Sequence, residues 1–252
     1  MNTRAQNLLL PLMGLALAIG LWWLGAWALT ERIPIAANFA PLPTFDALIW
    51  LLQDPYFYGH ILLSLKRVAI GLLFAVAIGI PLGILTGLSH RFALASGTVF
   101  QFLRMISPLS WMPLAVMVLG VGNAPVYFLL AFAAVWPIIL NTATGVAQLD
   151  KNWLLLSQSL SATRVEFILR LVLPGITAHL LTGCRLAIGI IWIILVPAEM
   201  LGVTAGLGYF ILDTRDRLAY DELMAAIMVI GAIGFMLDTL ARQLHRYWTH
   251  QN

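Results

Sequence analysis

Apolar residues in this chain run in long blocks separated by short polar stretches, and the block lengths predict the elements. A helix needs about 20 mainly apolar residues to cross a bilayer. Residues 8–29 satisfy this, and 62–88 do so again. The run from 99 to 146 is too long for one helix and is cut at 120–125 by GVGNAP, a Gly/Asn/Pro turn signal. It therefore predicts spans at 99–119 and 126–146. Further blocks give spans at 175–201 and 223–240, making an all-α polytopic protein of six transmembrane helices in a single transmembrane domain over 1–252. Arg4 ahead of the first block resembles the start of a secretory signal. The apolar stretch exceeds the roughly 7–15 residues of a signal core and lacks a small-x-small cleavage site, so it reads as an uncleaved first span. TFDALIWLL, between the first two spans, has the character of an interfacial helix.

Composition agrees with this pattern. Hydrophobic residues make up 61% of the chain and charged residues 10%, against about 25% charged in soluble domains. The net charge is only +3 and the basic residues are dispersed, which argues against a nucleic-acid partner. Six spans put both termini on one side. If that side is inner, the inner segments carry Arg4, Arg91, Lys151, Arg164, Arg170, Arg242 and Arg246. The outer segments, 30–61 and 202–222, carry Arg32, Arg215 and Arg217 among seven acidic residues. The positive-inside rule thus predicts cytoplasmic N- and C-termini, periplasmic 30–61 and 202–222, and a cytoplasmic insert at 147–173.

That insert is patterned rather than loop-like. Asp150 can cap a helix running to about 160, in which Trp153, Leu156, Ser157 and Leu160 recur at helical spacing. Ser161 and Ala162 make a turn. Thr163-Arg164-Val165-Glu166 then fits a capping box, in which hydroxyl and carboxylate satisfy each other's backbone N–H. Pro174 suits the first turn of the following span. The insert is either a connecting hairpin or a stiff knob for a partner.

Catalytic motifs are missing from the sequence. There is no Gly-x4-Gly-Lys-Ser/Thr, and Lys66 and Lys151 are the only lysines. An energy source must therefore be another polypeptide. No metal motif or nucleophile turn occurs, so neither a metal site nor an enzyme activity is expected. Gly79, Gly83 and Gly87 recur every fourth residue and form a smooth face, suited to helix packing or to a moving pore wall. Lone Cys184 reads as a small packing residue.

The insert also resembles the cytoplasmic loop of ABC importer permeases, whose pattern is Glu-Ala-Ala, three residues, Gly, nine residues, Ile-x-Leu-Pro. Anchored on Pro174, Leu155, Leu156 and Ser157 stand at Glu-Ala-Ala, and Ser161 stands at the glycine. Leu173 and Pro174 match outright. SLKRVAIGLLFAVAIGIPLGILTGLS at 64–89, SPLSWMPLAVMVLGVGNAP at 107–125 and TGCRLAIGIIWIILVPAEMLGVTAGLGYFILDTRDRL at 182–218 resemble the nitrate/taurine/sulfonate-type subgroup. The resemblance runs in order from Leu62 to Arg246.

It implies a type I importer permease of MetI-like architecture in a bacterial inner membrane, acting as a homodimer with two ABC ATPase subunits. ATP and magnesium would sit on those ATPases, with no cofactor in this chain. A periplasmic or lipid-anchored solute-binding protein would deliver nitrate or a similar oxyanion, or taurine or another alkanesulfonate. The resemblance places ATPase coupling at Leu155, Leu156, Ser157, Ser159, Leu160, Ser161, Ala162 and Thr163. Asp213, Arg215, Asp216 and Arg217 are its candidates for binding-protein contact, or else form the solvated face of an interfacial helix. Charges at membrane depth are functional candidates by default. Arg104 and Arg185 either stabilise an anion in transit or snorkel to the interface. Glu199 either pairs with a basic group or shapes a gate, and Lys66 and Arg67 meet lipid headgroups or an acidic partner. The alternative to an ATP-driven importer is a self-contained secondary transporter or channel.

Overall fold

The computed structural model describes residues 3–159 and 161–249. Helices α1 (Thr3–Thr30), α2 (Pro41–Leu51), α3 (Pro55–Leu88), α4 (His90–Met105), α5 (Met112–Leu119) and α6 (Asn123–Ala147) lead to the insert. The insert comprises α7 (Lys151–Ser159), α8 (Arg164–Phe167), a π-helical turn at Ile168–Val172 and α9 (Leu173–Gly175). After it come α10 (Thr177–Gly202), α11 (Leu207–Asp216) and α12 (Tyr220–Thr249). No strand occurs among the described residues. The chain forms two compact units. One holds the described residues up to His60 together with Phe210–Gly231. The other holds Ile61–Tyr209 together with the described residues from Ala232 onward.

In the first unit, Trp22 donates its indole N–H to the Phe39 carbonyl at 2.8 Å, in the short 3-10 turn Pro34–Phe39. Phe57 is fully buried, its ring 4.9 Å from that of Phe210. TFDALIWLL is helical up to its last residue, Leu52, which caps α2; the helix opens on Pro41 at a first-turn position that needs no N–H donor.

Among the described residues, five helices are individually long and apolar enough to cross a membrane: 12–30 in α1, then α3, α6, α10 and 220–248 in α12. Helix α3 starts seven residues before the expected 62, because Asp54 accepts from the Tyr56 N–H and Pro55 fits a first turn. At 34 residues it is roughly 50 Å long, well beyond the approximately 30 Å hydrocarbon core.

The stretch 99–119 is not the single helix expected. Helix α4 begins at His90, capped by the Ser89 hydroxyl, and ends at Met105. The chain then turns through 88° into Pro108–Leu119. Pro108 lacks an N–H and pushes the preceding residue out of the helical region. Ser107 accordingly takes ψ 126°, and Ile106, which caps α4, takes ψ 128°. Hydropathy does not register this bend, since both arms are apolar. If the bent pair counts as one span, the total is six.

In the second unit α6 is the central strut. Leu129, Leu130, Ile138 and Ile139 of α6 pack with Val68 and Ala75 of α3 and with Ala187, Ile191 and Leu195 of α10. The glycine face of α3 lies directly on α6. A Cβ on Gly79 would sit 2.8 Å from Ile138, one on Gly83 2.5 Å from Thr142, and one on Gly87 2.5 Å from Val146. Gly71 extends the same face against Leu130. Small residues give such packing its close approach, because apolar burial in lipid supplies little drive between helices. Gly83→Ala should therefore cost about 1–3 kcal/mol through overpacking, since its Cβ would also meet the Ile139 carbonyl oxygen at 2.9 Å. Unfolding titration in detergent measures this, and unchanged stability contradicts it.

Candidate functional site

Two polar constructions stand out in the second unit, the insert and a buried ion pair. At the start of the insert the Asp150 carboxylate accepts from the Asn152 N–H at 2.8 Å, as a capping residue does. Helix α7 closes with the Ala162 N–H donating to the Ser157 carbonyl at 3.1 Å. This is the six-to-one bond of a Schellman cap, which needs a left-handed residue just before the donor. Ser161 fills that position with φ 51°.

The capping box follows. The Thr163 hydroxyl accepts from the Glu166 N–H at 3.3 Å, while a Glu166 carboxylate oxygen accepts from the Thr163 N–H at 3.1 Å and from its hydroxyl at 2.8 Å. These bonds, the Thr163 hydroxyl foremost, hold the Glu166 carboxyl below its ordinary pKa, with a smaller contribution from Arg170. The carboxylate is therefore ionised at neutral pH and the box stays formed.

Ahead of Pro174 the helix widens into the π turn, and the Leu173 N–H bonds to the Ile168 carbonyl. A proline ring crowds the carbonyl four residues back, and the widening accommodates it. Val172 and Ile176, both fully buried, anchor this turn against Ile84 of α3 and Val146 of α6. Of the expected coupling residues, Leu155, Ser159, Ser161, Ala162 and Thr163 are exposed and Ser157 is half-buried. Leu160 lies outside the described residues, and of Leu156 only the backbone is described. A groove of about 370 Å³ runs past Ser157 and Ala162 and is also lined by Trp153, Phe167 and Leu171. The aromatic rings there were not among the expected coupling residues, although Phe167 and Leu171 are one helical turn apart.

The ion pair joins α3 to α10. Glu199 is 0% exposed and Arg67 2%, and Arg67 Nη1 lies 2.7 Å from Glu199 Oε1. The Ser64 hydroxyl, one turn before Arg67, lies 2.7 and 2.9 Å from the two carboxylate oxygens and accepts from the Leu207 N–H at 2.8 Å. The Gly208 N–H donates to Glu199 Oε2 at 2.8 Å. Arg67 also donates to the Ala205 carbonyl at 2.6 Å and to Asn123 Oδ1, from Nε at 2.9 Å and Nη2 at 2.7 Å. Gly206 lets the chain pass at φ 119°, where a side chain would run into Arg67 and Glu199. Every charge is thus answered, which is the condition for burying an ion pair. Of the two alternatives for Arg67, the acidic partner holds. Lys66 alone of that pair is exposed.

The three charges expected along a path do not form one site. Glu199 belongs to the clamp. Arg185 pairs with Asp238 at 3.3 Å, and Asp238 also holds Arg242. Arg104 donates to Gln101 at 2.7 Å and faces a cavity of about 340 Å³ beside Trp136. In the first unit the charged strip closes on itself. Arg217 pairs with Asp213 at 2.9 Å and Glu222 at 3.0 Å, and Arg215 pairs with Asp216 at 2.8 Å. Exposed pairs of this kind contribute little stability.

Two outcomes follow. Arg67→Met or Glu199→Leu alone should each cost about 3–5 kcal/mol by stranding a buried charge. The double replacement should cost clearly less than the sum in detergent unfolding, whereas additivity would mean the two residues do not interact. Ser161→Val should cost about 1–2 kcal/mol, since a β-branched side chain resists the left-handed region. Ser161→Gly should not destabilise, and hydrogen exchange across α7 and α8 reads both changes.

Comparison with known proteins gives this arrangement its context. Residues 79–249 match the family described as "Binding-protein-dependent transport system inner membrane component". The bicarbonate transport system permease protein CmpB of Synechococcus elongatus is 32% identical over 252 residues, covering 97% of this chain and 90% of the relative. The taurine transport system permease protein TauC of Escherichia coli is 31% identical with the same coverage. The nitrate import permease protein NrtB of Leptolyngbya laminosa is 35% identical over 199 residues, 75% of this chain and 71% of its own. A chain from the inward-facing MetNI methionine ABC transporter shares the fold, with a TM-score of 0.65 at 13% identity, over 79% of this chain and 96% of that one. With a family match across most of its length and relatives above 30% identity across nearly all of it, the chain belongs to the binding-protein-dependent transport system inner membrane components.

Proposed function

We propose that this permease forms the membrane pathway of an ATP-driven importer for a small oxyanion, nitrate or bicarbonate in kind, or for a small sulfonate such as taurine. Permeases of this family work with ATPase subunits and a solute-binding protein, and are not themselves the catalytic subunit. The names of CmpB, NrtB and TauC support the solute class, since all three carry small anionic or sulfonated solutes. In this reading two copies pair as a homodimer, each a single six-span domain with both termini cytoplasmic. Each copy meets one ATPase, which carries the ATP and magnesium.

The observation that carries the coupling role is the capped and rooted geometry of the insert. It has a helix capped at both ends, a capping box, and a root locked to α3 and α6 through Val172 and Ile176. A lever must transmit displacement without absorbing it, and these contacts leave few soft dihedrals between the exposed residues of α7 and the start of α10. ATP-driven closure of the ATPases would push the inserts together and turn the membrane helices outward to receive solute. Leu155, exposed where the resemblance has an acidic residue, gives the joint an apolar contact. Segments 30–61 and 202–222 would face the binding protein, which would touch Asp213, Arg215, Asp216 and Arg217. A self-contained secondary transporter would need a coupling carboxylate at membrane depth, and Glu199 is committed to the clamp while Asp238 is paired with Arg185 and Arg242.

Copurification tests the joint. Trp153→Ala combined with Leu155→Asp should abolish recovery of the ATPase with the permease while the chain still inserts into membranes. ATPase recovery at the unaltered level contradicts the coupling role.

A further inference from the structure

In the second unit α10 and α12 are joined by charge near the start of α10. Arg185 Nε lies 3.3 Å from Asp238 Oδ1, and Arg242 holds the other carboxylate oxygen. His245 and the Thr182 hydroxyl meet at 3.0 Å beside them. Arg246 follows one turn after Arg242, exposed and without an ion pair among the described residues. Three guanidiniums thus share one carboxylate. The other acidic residues of these two helices are committed elsewhere: Glu199 lies in the clamp, and Asp221 and Glu222 open the far end of α12.

This imbalance reaches into the membrane. At 26 residues α10 is about 39 Å long, against a hydrocarbon core of roughly 30 Å. Arg185 stands about 12 Å along the helix from Thr177. Even with all the excess length at that end, it lies inside the core. A charge at that depth is expensive unless it is paired, and Asp238 cannot neutralise Arg185 and Arg242 together. Both arginines are about 40% exposed, so the protein does not enclose them. The missing negative charge has to come from what borders the helices.

The face of α12 that carries the surplus selects an amphiphile. Phe235, Thr239, Arg242 and Arg246 recur at i, i+4, i+7 and i+11, on one stripe of the helix. Two turns deeper than Arg242, Phe235 is 69% exposed. Exposed Tyr247 and Trp248 follow at the helix end, as aromatic residues do at a membrane interface. A phosphodiester can take charge-assisted bonds from two guanidiniums while its acyl chain runs along Phe235. A soluble anion answers the charge alone, and a zwitterionic lipid answers the apolar stripe while bringing its own cation.

We propose that Arg242 and Arg246, backed by the Arg185–Asp238 pair, bind the headgroup of an anionic phospholipid where α10 meets α12. The lipid phosphate supplies the counter-charge that the chain lacks, and so ties the two helices at the end where the insert enters.

The full-length permease, purified with its ATPase in neutral detergent, tests this. It is titrated with phosphatidylglycerol, with phosphatidylcholine of the same acyl chains, and with inorganic phosphate. Thermal unfolding and native mass spectrometry read the binding. Phosphatidylglycerol alone should raise the unfolding midpoint and stay bound. An equal response to phosphatidylcholine makes the surface an ordinary lipid contact and overturns the site. A matching response to inorganic phosphate assigns the cluster to a soluble anion and likewise overturns it. Arg242→Gln with Arg246→Gln should weaken phosphatidylglycerol binding about tenfold to thirtyfold, the scale of two cations at an anionic surface. That variant keeps the Arg185–Asp238 pair and loses only an exposed one, which contributes little to folding. Arg242→Lys with Arg246→Lys should retain most of the binding. Arg91→Gln with Arg164→Gln removes equal charge from exposed positions elsewhere and should leave binding unchanged, so an equal loss there overturns the location.

Discussion

A guanidinium and a carboxylate sealed away from water set the terms for much of this structure. Burying either charge alone costs several kcal/mol, and the pair is tolerable only if the surroundings answer all of its hydrogen-bonding groups. Answering them takes contributions from four places: Ser64 on α3, Asn123 at the start of α6, the Ala205 carbonyl, and the N–H groups that open α11. None of these segments can shift far without stranding a charge. The clamp thus fixes the end of α10 and the turn after it relative to α3 and α6, and Gly206 is what lets the backbone close over it.

The same helices meet differently farther along. There, glycine after glycine on α3 brings its backbone against Ile138, Thr142 and Val146 of α6, and the insert's root rests on Ile84 and Val146 at that end. A polar lock at one end and glycine-mediated contact at the other make α3 and α6 a continuous frame. The insert runs into α10 through a π turn and a three-residue helix rather than through a flexible loop. The proposed coupling role requires a connection of this kind.

Much of this was legible in the residues. Long apolar blocks marked the spanning helices because membrane burial is read by length and hydropathy. Thr163 and Glu166 announced their capping box because both partners lie within one turn of sequence, and the spacing of Gly79, Gly83 and Gly87 announced a packing face. Other features depended on what local pattern does not encode. Arg67 and Glu199 are 132 residues apart, so their pairing follows only from the packing of α3 with α10. The 88° break after Met105 arises from one proline and two extended residues inside an apolar run, where hydropathy is uniform. Ser161 occupies a left-handed turn that glycine usually fills, and its φ of 51° became visible only with the backbone.

The central claim is that this chain moves solute only as the driven part of a larger machine. Solute flux through proteoliposomes tests it most directly, comparing the purified permease alone with the permease assembled with its ATPase and binding protein. The account predicts concentrative uptake only from the full assembly and only with ATP hydrolysis. Concentrative uptake by the permease alone, sustained by an ion gradient and indifferent to ATP, would contradict it.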